Sequence, residues 1–232
     1  MELVQETPDA RSLVLDVPGW PGHLPGQHVD VRVTDETGYQ SQRSYSLASA
    51  PEDGYLVLTI QRLKDGEVSS YLAVEVRVGD ALELRGPIGG YFVWNALEHQ
   101  PTQLIAGGSG IVPFRAVLRH WDAMGHAAQI RLLYSARSPE AAIYRDQLMR
   151  FAAYDEVDIR FAFTRRSPSG WRGHQGRIGR ALLERATWSP EQHPLVLVCG
   201  PITFVEAMAN ILIALGHDSR HIRTERFGPT GT

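Results

Sequence analysis

The hydrophobic pattern of this chain changes character once, near Pro101, and that change restricts the folds open to its 232 residues. Before it, residues 13–17, 29–33, 55–60 and 81–85 are short apolar, β-branched or alternating runs. They are bounded by Pro18-Gly19, Pro25-Gly26, Asp53-Gly54, Asp65-Gly66 and Gly86-Pro87, the pattern of antiparallel strands joined by tight turns at barrel-like spacing. Residues 69–76 read as a short helix between two of these strands. Beyond Pro101 the order becomes strand (103–106), glycine loop, helix (112–124) and strand (130–134). It repeats with a helix near 140–151, a strand at 157–163, a helix near 179–186, a strand at 195–199, a helix at 203–215 and a strand at 221–224. Alternation of that kind predicts a doubly wound parallel α/β sheet. The chain is therefore expected to hold two domains, a β domain over residues 1–98 and an α/β domain over residues 99–232.

Composition narrows the function classes. A net charge of −3 with scattered Lys and Arg gives no basic stripe, so no nucleic-acid partner is expected. Residues 1–6 lack the charged and apolar regions of a signal peptide, and no run reaches the roughly 18 apolar residues of a membrane span. The expectation is a cytoplasmic protein with no membrane span. Cys199 is the lone cysteine, so one chain cannot build a disulfide, a four-cysteine zinc site or a cysteine-ligated iron–sulfur cluster. His217 and His221 have helical i, i+4 spacing but follow Gly216, a helix stop, and lack a zinc motif's glutamate; no metal site is expected.

Four segments carry chemistry. In Gly107-Gly108-Ser109-Gly110-Ile111-Val112-Pro113, glycines allow close backbone approach to a pyrophosphate and the next helix offers free N–H groups, with Pro113 suited to its first turn. A ligand-free strand-to-helix turn is the alternative. Arg43-Ser44-Tyr45-Ser46 sets a cation, an aromatic ring and a hydroxyl in series, or is an amphipathic edge strand. Gly66-Glu67-Val68-Ser69-Ser70 presents N–H groups and a serine at a helix start, or is a plain cap. Cys199-Gly200-Pro201 ends an apolar strand, at the sheet edge where open α/β sheets bind ligands, although a cysteine there also serves as a small buried hydrophobe.

Taken together, these motifs resemble those of the ferredoxin-NADP reductase superfamily, from about Leu13 to the chain's last residue. The resemblance implies a six-stranded antiparallel flavin-binding barrel followed by the NAD(P)-binding α/β domain. It implies that Arg43 binds flavin phosphate, that Tyr45 packs on the isoalloxazine with Ser44 beside it, and that Ser46 approaches N5. Gly66, Val68, Ser69 and Ser70 would lie at the pyrophosphate. Gly107, Gly108, Ser109, Gly110 and Pro113 would hold the nicotinamide nucleotide, with Ser109 near its ring. Cys199, Gly200 and Pro201 would lie by the reacting carbon. In the tail, from Thr224 through Gly228-Pro229, an E-x-F-type element would set Glu225 on the nicotinamide side and Phe227 over the flavin; edge-strand packing is the other reading.

At the strand ends Ser135, Arg137 and Arg165 offer hydroxyls and guanidiniums, and no acid closes the strand at 130–134. NADPH is therefore expected, with NADH possible, unless the arginines are merely solvated surface. The chain is expected to be an FAD-dependent reductase, FMN being the second choice. It would move a hydride from NADPH to flavin N5 and pass electrons to an acceptor on a separate chain, a ferredoxin or another metalloprotein. Its ferredoxin-type cysteines are missing, unlike those of related oxygenase reductases. A free-flavin or quinone reductase and a non-catalytic flavin-binding module remain as alternatives.

Overall fold

The computed structural model describes residues 2–34, 38–126 and 128–228. Its first part is antiparallel. Strands β1 (Glu2–Thr7), β2 (Ala10–Leu15), β3 (His28–Thr34), β4 (Gln40–Ser46), β5 (Leu56–Gln61) and β6 (Glu83–Ile88) form two three-stranded sheets, ordered β1-β2-β5 and β4-β3-β6. A bridge between Leu47 and Leu58 joins the end of β4 to β5. Inward residues of both sheets, among them Leu13, Val29, Val31, Leu47, Leu58 and Ile60, bury one core, closed by Val68 of the short helix α1 (Glu67–Ser70) and by Leu72. The strand expected to stop at Gly86-Pro87 runs on to Ile88. Pro87 falls where the register with β3 shifts, between the pairs Asp30–Arg85 and His28–Ile88, so its missing N–H interrupts no regular stretch of the ladder. Strand β1 was not foreseen, because its Glu, Gln and Thr positions hide a two-residue period on an exposed edge.

The second part is one parallel sheet, ordered β10-β9-β8-β7-β11-β12. Its strands are β7 (Thr102–Gly107), β8 (Ile130–Ala136), β9 (Val157–Phe163), β10 (His174–Gln175), β11 (Leu195–Pro201) and β12 (Ile222–Phe227). The helices α2 (Val112–Ala123), α3 (Arg145–Phe151), α4 (Arg180–Ala186) and α5 (Ile202–Ala214) cover its faces. β7 is buried at every position, as a central strand covered on both faces must be. Phe114, Val117, Leu118 and Trp121 recur on one face of α2 and bury against the sheet; Val205, Met208 and Leu212 of α5 do the same on the other side. The helix expected from residue 140 begins only at Arg145. Pro139–Ala141 forms a separate 3-10 turn, and Tyr144, at φ +61, takes a left-handed conformation that a helix cannot contain.

The two parts share an apolar layer. Ala48, Val57, Phe92 and Trp94 of the antiparallel part sit in the same cluster as Phe114 and Trp121 of α2, with the Phe92 and Phe114 rings 5.9 Å apart. Polar contacts ring it. Arg119 of α2 donates to the buried carboxylate of Asp53, Nε to Oδ2 at 2.8 Å, and Arg115 donates to the Ala48 carbonyl at 2.7 Å. The Tyr144 hydroxyl meets Thr59, which is bonded in turn to Ser12. We expect Asp53→Asn to destabilise the protein by about 1–3 kcal/mol, because it strips the half-buried Arg119 of its counter-ion. A urea unfolding midpoint equal to that of the wild type would show that the pair contributes nothing across the seam.

Candidate functional site

Parallel strands bring their carboxyl ends to one edge, and the register fixes which residues meet there. Gly107 pairs with Ser135, Cys199 lies between Ala106 and Glu225, and Pro201 faces Phe227. The loop after β7 is shaped by contacts that only glycine permits. A side chain on Gly110 would meet the Cys199 carbonyl oxygen at 2.1 Å, and one on Gly107 would meet the Phe204 ring at 2.8 Å. Gly108 adopts φ +56 and opens a 3-10 turn that leads into α2, where Pro113 occupies the first turn as expected. The backbone of the phosphate-loop motif is thereby pressed against the end of β11.

This edge forms one wall of a cleft of about 450 Å³. Six residues named from the sequence, Gly107, Gly108, Ser109, Ser135, Arg137 and Pro201, line it together with Phe204 and Phe227. Arg166 lines it where Arg165 was expected; Arg165 is exposed and its backbone N–H donates to the Arg137 carbonyl. The opposite wall is Thr7, Pro8, Asp9 and Gln61 of the antiparallel part, which no local pattern in the sequence could reveal. Phe204 was also missed. Its signal was the small residue at both Gly107 and Gly200, since each packs against its ring.

The ends of β4 and β12 meet across the two parts. The Ser46 hydroxyl donates to Glu225 Oε1 at 3.4 Å, while Oε2 is buried with no hydrogen-bond partner among the described residues. Burial, only partly offset by Ser46, raises the Glu225 carboxyl to about 7. The Cys199 thiol beside it is buried and pushed well up by desolvation and then by the Glu225 charge, so it stays neutral. Phe227 is partly exposed on the cleft wall, and Pro229 of the tail motif lies outside the described residues.

On β4 the side chains diverge. Tyr45 is half-buried, its phenol raised to about 12 by desolvation. Ser44 donates to Asp30 at 2.6 Å, alongside Gln42 and Arg85. Arg43 is exposed and bonds its neighbour's carbonyl, at Gln42, which leaves its charge available to an anion. In the second segment Ser69 is turned inward: its hydroxyl donates to the Gly66 carbonyl at 3.1 Å and accepts from the Leu63 N–H, while Ser70 reaches the Leu63 carbonyl. Val68 is buried in the barrel core. Ser69 therefore clasps the loop, and a side chain on Gly66 would run into its hydroxyl.

The comparisons with known proteins agree with this architecture. Residues 3–93 match the oxidoreductase FAD-binding domain family and residues 104–210 the oxidoreductase NAD-binding domain family. The chain belongs to the ferredoxin-NADP reductase superfamily. It is 28% identical over 238 residues to the glycine betaine monooxygenase reductase subunit of Chromohalobacter salexigens, covering 99% of this chain and 63% of that protein. The FAD/NAD-binding domain of the nitric oxide dioxygenase of Vibrio cholerae superposes with a TM-score of 0.85 at 28% identity, over 98% of this chain and 96% of that one. A ferredoxin NADP+ reductase of Neisseria gonorrhoeae with bound FAD and NADP has the same fold, with a TM-score of 0.83 at 21% identity over 97% and 95% of the two chains. This member of the superfamily has no helix among the described residues that is long and apolar enough to cross a membrane. The residues fit the two cofactors: a glycine-tight loop at a helix start, an exposed guanidinium with no carboxylate partner among the described residues, and a buried carboxylate oxygen without a hydrogen-bond partner among them.

The raised carboxyl predicts a pH dependence. Between the ordinary value of 4.5 and about 7 the folded protein binds a proton at Glu225 that the unfolded chain releases. Stability contributed by this group is therefore full below the lower value and falls as pH rises through the upper one. Glu225→Gln should flatten the stability profile between about pH 5 and pH 8. Chemical denaturation across that range checks it, and an unaltered slope would show that Glu225 does not titrate in this window.

Proposed function

We propose that this chain is an FAD-dependent NAD(P)H reductase that delivers electrons to an acceptor on a separate chain, a ferredoxin or other metalloprotein such as an oxygenase component. The reading is carried by the meeting of Ser46 and Glu225, one from each part, at the same sheet edge as the glycine loop. The boundary between the cofactor domains is taken between residues 98 and 99. The name of the glycine betaine monooxygenase reductase subunit supports a role as an electron-supplying component, and this chain spans 63% of that relative. We place the protein in the cytoplasm, where a lone cysteine stays reduced.

Bound FAD would supply the redox chemistry, taking a hydride from the nicotinamide and releasing electrons to the acceptor. The chain's own residues bind, orient and exclude water. Gly107 to Gly110, ahead of Pro113, would hold the nucleotide pyrophosphate against the N-terminus of α2, with Ser135 and Arg137 further along the cleft. Arg43 would hold flavin phosphate beside the backbone of Gly66 to Ser70, with Tyr45 against the ring. Glu225, its carboxyl raised to about 7 by burial, lies at the sheet edge with Oε1 accepting from Ser46. Cys199 is a neutral packing group at the sheet edge, Gly200 packs against Phe204 and Gly107, and Pro201 and Phe227 wall the cleft.

The purified protein is expected to be yellow and to hold FAD. Arg43→Ala should weaken flavin binding by about 1.5–3 kcal/mol through loss of a charge-assisted contact, as read by flavin retention on dilution. Unchanged retention would remove Arg43 from the site. Anaerobic mixing with NADPH or NADH should bleach the flavin absorbance, and candidate acceptor proteins added afterwards should restore it. A protein that binds FAD yet is not bleached by either nucleotide is a flavin-binding module instead.

A further inference from the structure

Beyond Arg166 the nucleotide cleft adjoins a second concavity of about 460 Å³, lined by Pro139, Glu140, Arg145, Arg166, Ser167 and Pro168. Glu140 and Arg166 belong to both walls, so their ion pair, Nη2 to Oε2 at 2.9 Å, stands as the partition between the two spaces. Both side chains are exposed. Glu140 is also bonded by Ser138, which with Arg166 lowers its carboxyl to about 2, so it is ionised at any working pH. This acid lies four residues past the end of β8, on the 3-10 turn and not on the helix expected there.

We propose that Glu140 sets the choice between the two nicotinamide nucleotides by keeping Arg166 occupied on the wall of the adenosine end of the cleft. The inference rests on the proposed nucleotide site. Arg166 paired with a carboxylate is not a free cation: a ribose 2′-phosphate can engage it only by displacing Glu140, and meets that carboxylate's negative charge as it approaches. A ribose 2′-hydroxyl faces no such competition, and the carboxylate accepts its hydrogen bond. The arginines at these strand ends therefore do not make the site an NADPH site by their number. Arg137 acts alone on the near side, and Arg145 lies across the partition.

The test is direct binding to the FAD-loaded protein, with 2′,5′-ADP and 5′-ADP as probes in titration calorimetry. Glu140→Gln should raise the affinity ratio of 2′,5′-ADP to 5′-ADP by about tenfold, the size expected when one charge-assisted contact is released. Adding Arg166→Ala to that variant should return the ratio to within about twofold of wild type. An unchanged ratio in Glu140→Gln, or a gain that survives removal of Arg166, overturns the proposal. Ser138→Trp, which fills the cleft, separates this from failure of the site itself. If both probes lose binding there while Glu140→Gln leaves the ratio unmoved, only the role of Glu140 falls; if 5′-ADP binds Ser138→Trp as it binds wild type, the nucleotide site is elsewhere and the proposal falls with it.

Discussion

Everything at the sheet edge depends on the apolar layer between the two parts of the chain. Ser46 and Glu225 are 179 positions apart in sequence and meet only because Phe92 and Trp94 are packed into the cluster that also covers α2. The layer is continuous with the core on that face of the parallel sheet, so sliding one part over the other would open voids in a close-packed interior. Directional contacts then fix the angle. Trp94 donates to Thr102, Arg115 to Ala48 and Arg119 to Asp53, each crossing the same seam. Burial supplies the adhesion, and these bonds select one orientation of it.

The electrostatics of the site follow from that packing. Closing the seam takes Glu225 out of water without giving its second oxygen a partner, and the charged form is disfavoured as a result. The neighbouring thiol is disfavoured as an anion for the same reason, with the carboxylate adding to it. Groups at the outer end of the cleft behave in the opposite way. Glu140 and Arg166 form an exposed ion pair, and water screens it. The sheet edge thus pairs a dry, buried carboxyl at Glu225, two residues before the Phe227 of the cleft wall, with a wet, ionic wall at Glu140.

How much of this was readable in the sequence depended on how local the cause was. The strand at 157–163 and the start of α2 were readable to the residue, since apolar period and a proline in the first turn are local signals. The doubly wound sheet followed from alternation alone. The edge strand β1 was hidden by its polar residues, and the late start of α3 by a left-handed Tyr144 whose hydroxyl is engaged by a strand 85 positions away. Among candidate site residues, Gly107, Gly110 and Cys199 stood out because backbone proximity demands small residues. Phe204, Asp9 and Glu140 did not, because each reaches the cleft by tertiary packing or from a turn mistaken for helix. Arg165 and Arg166 are adjacent, and only the strand-end geometry tells which of them lines the wall.

Strand β12 lies at the outer margin of the parallel sheet and, among the described residues, pairs with β11 alone. Its other anchors come from the barrel side, where Tyr91 donates to the Ile222 carbonyl and Arg223 to the Val93 carbonyl. The segment bearing Glu225 and Phe227 is thus held by both parts at once, and loosening of the loop at 91–93 removes the two bonds from Tyr91 and to Val93. Because its backbone is bonded from both sides, the protection of this strand in native-state hydrogen exchange would read out how firmly the two parts are docked.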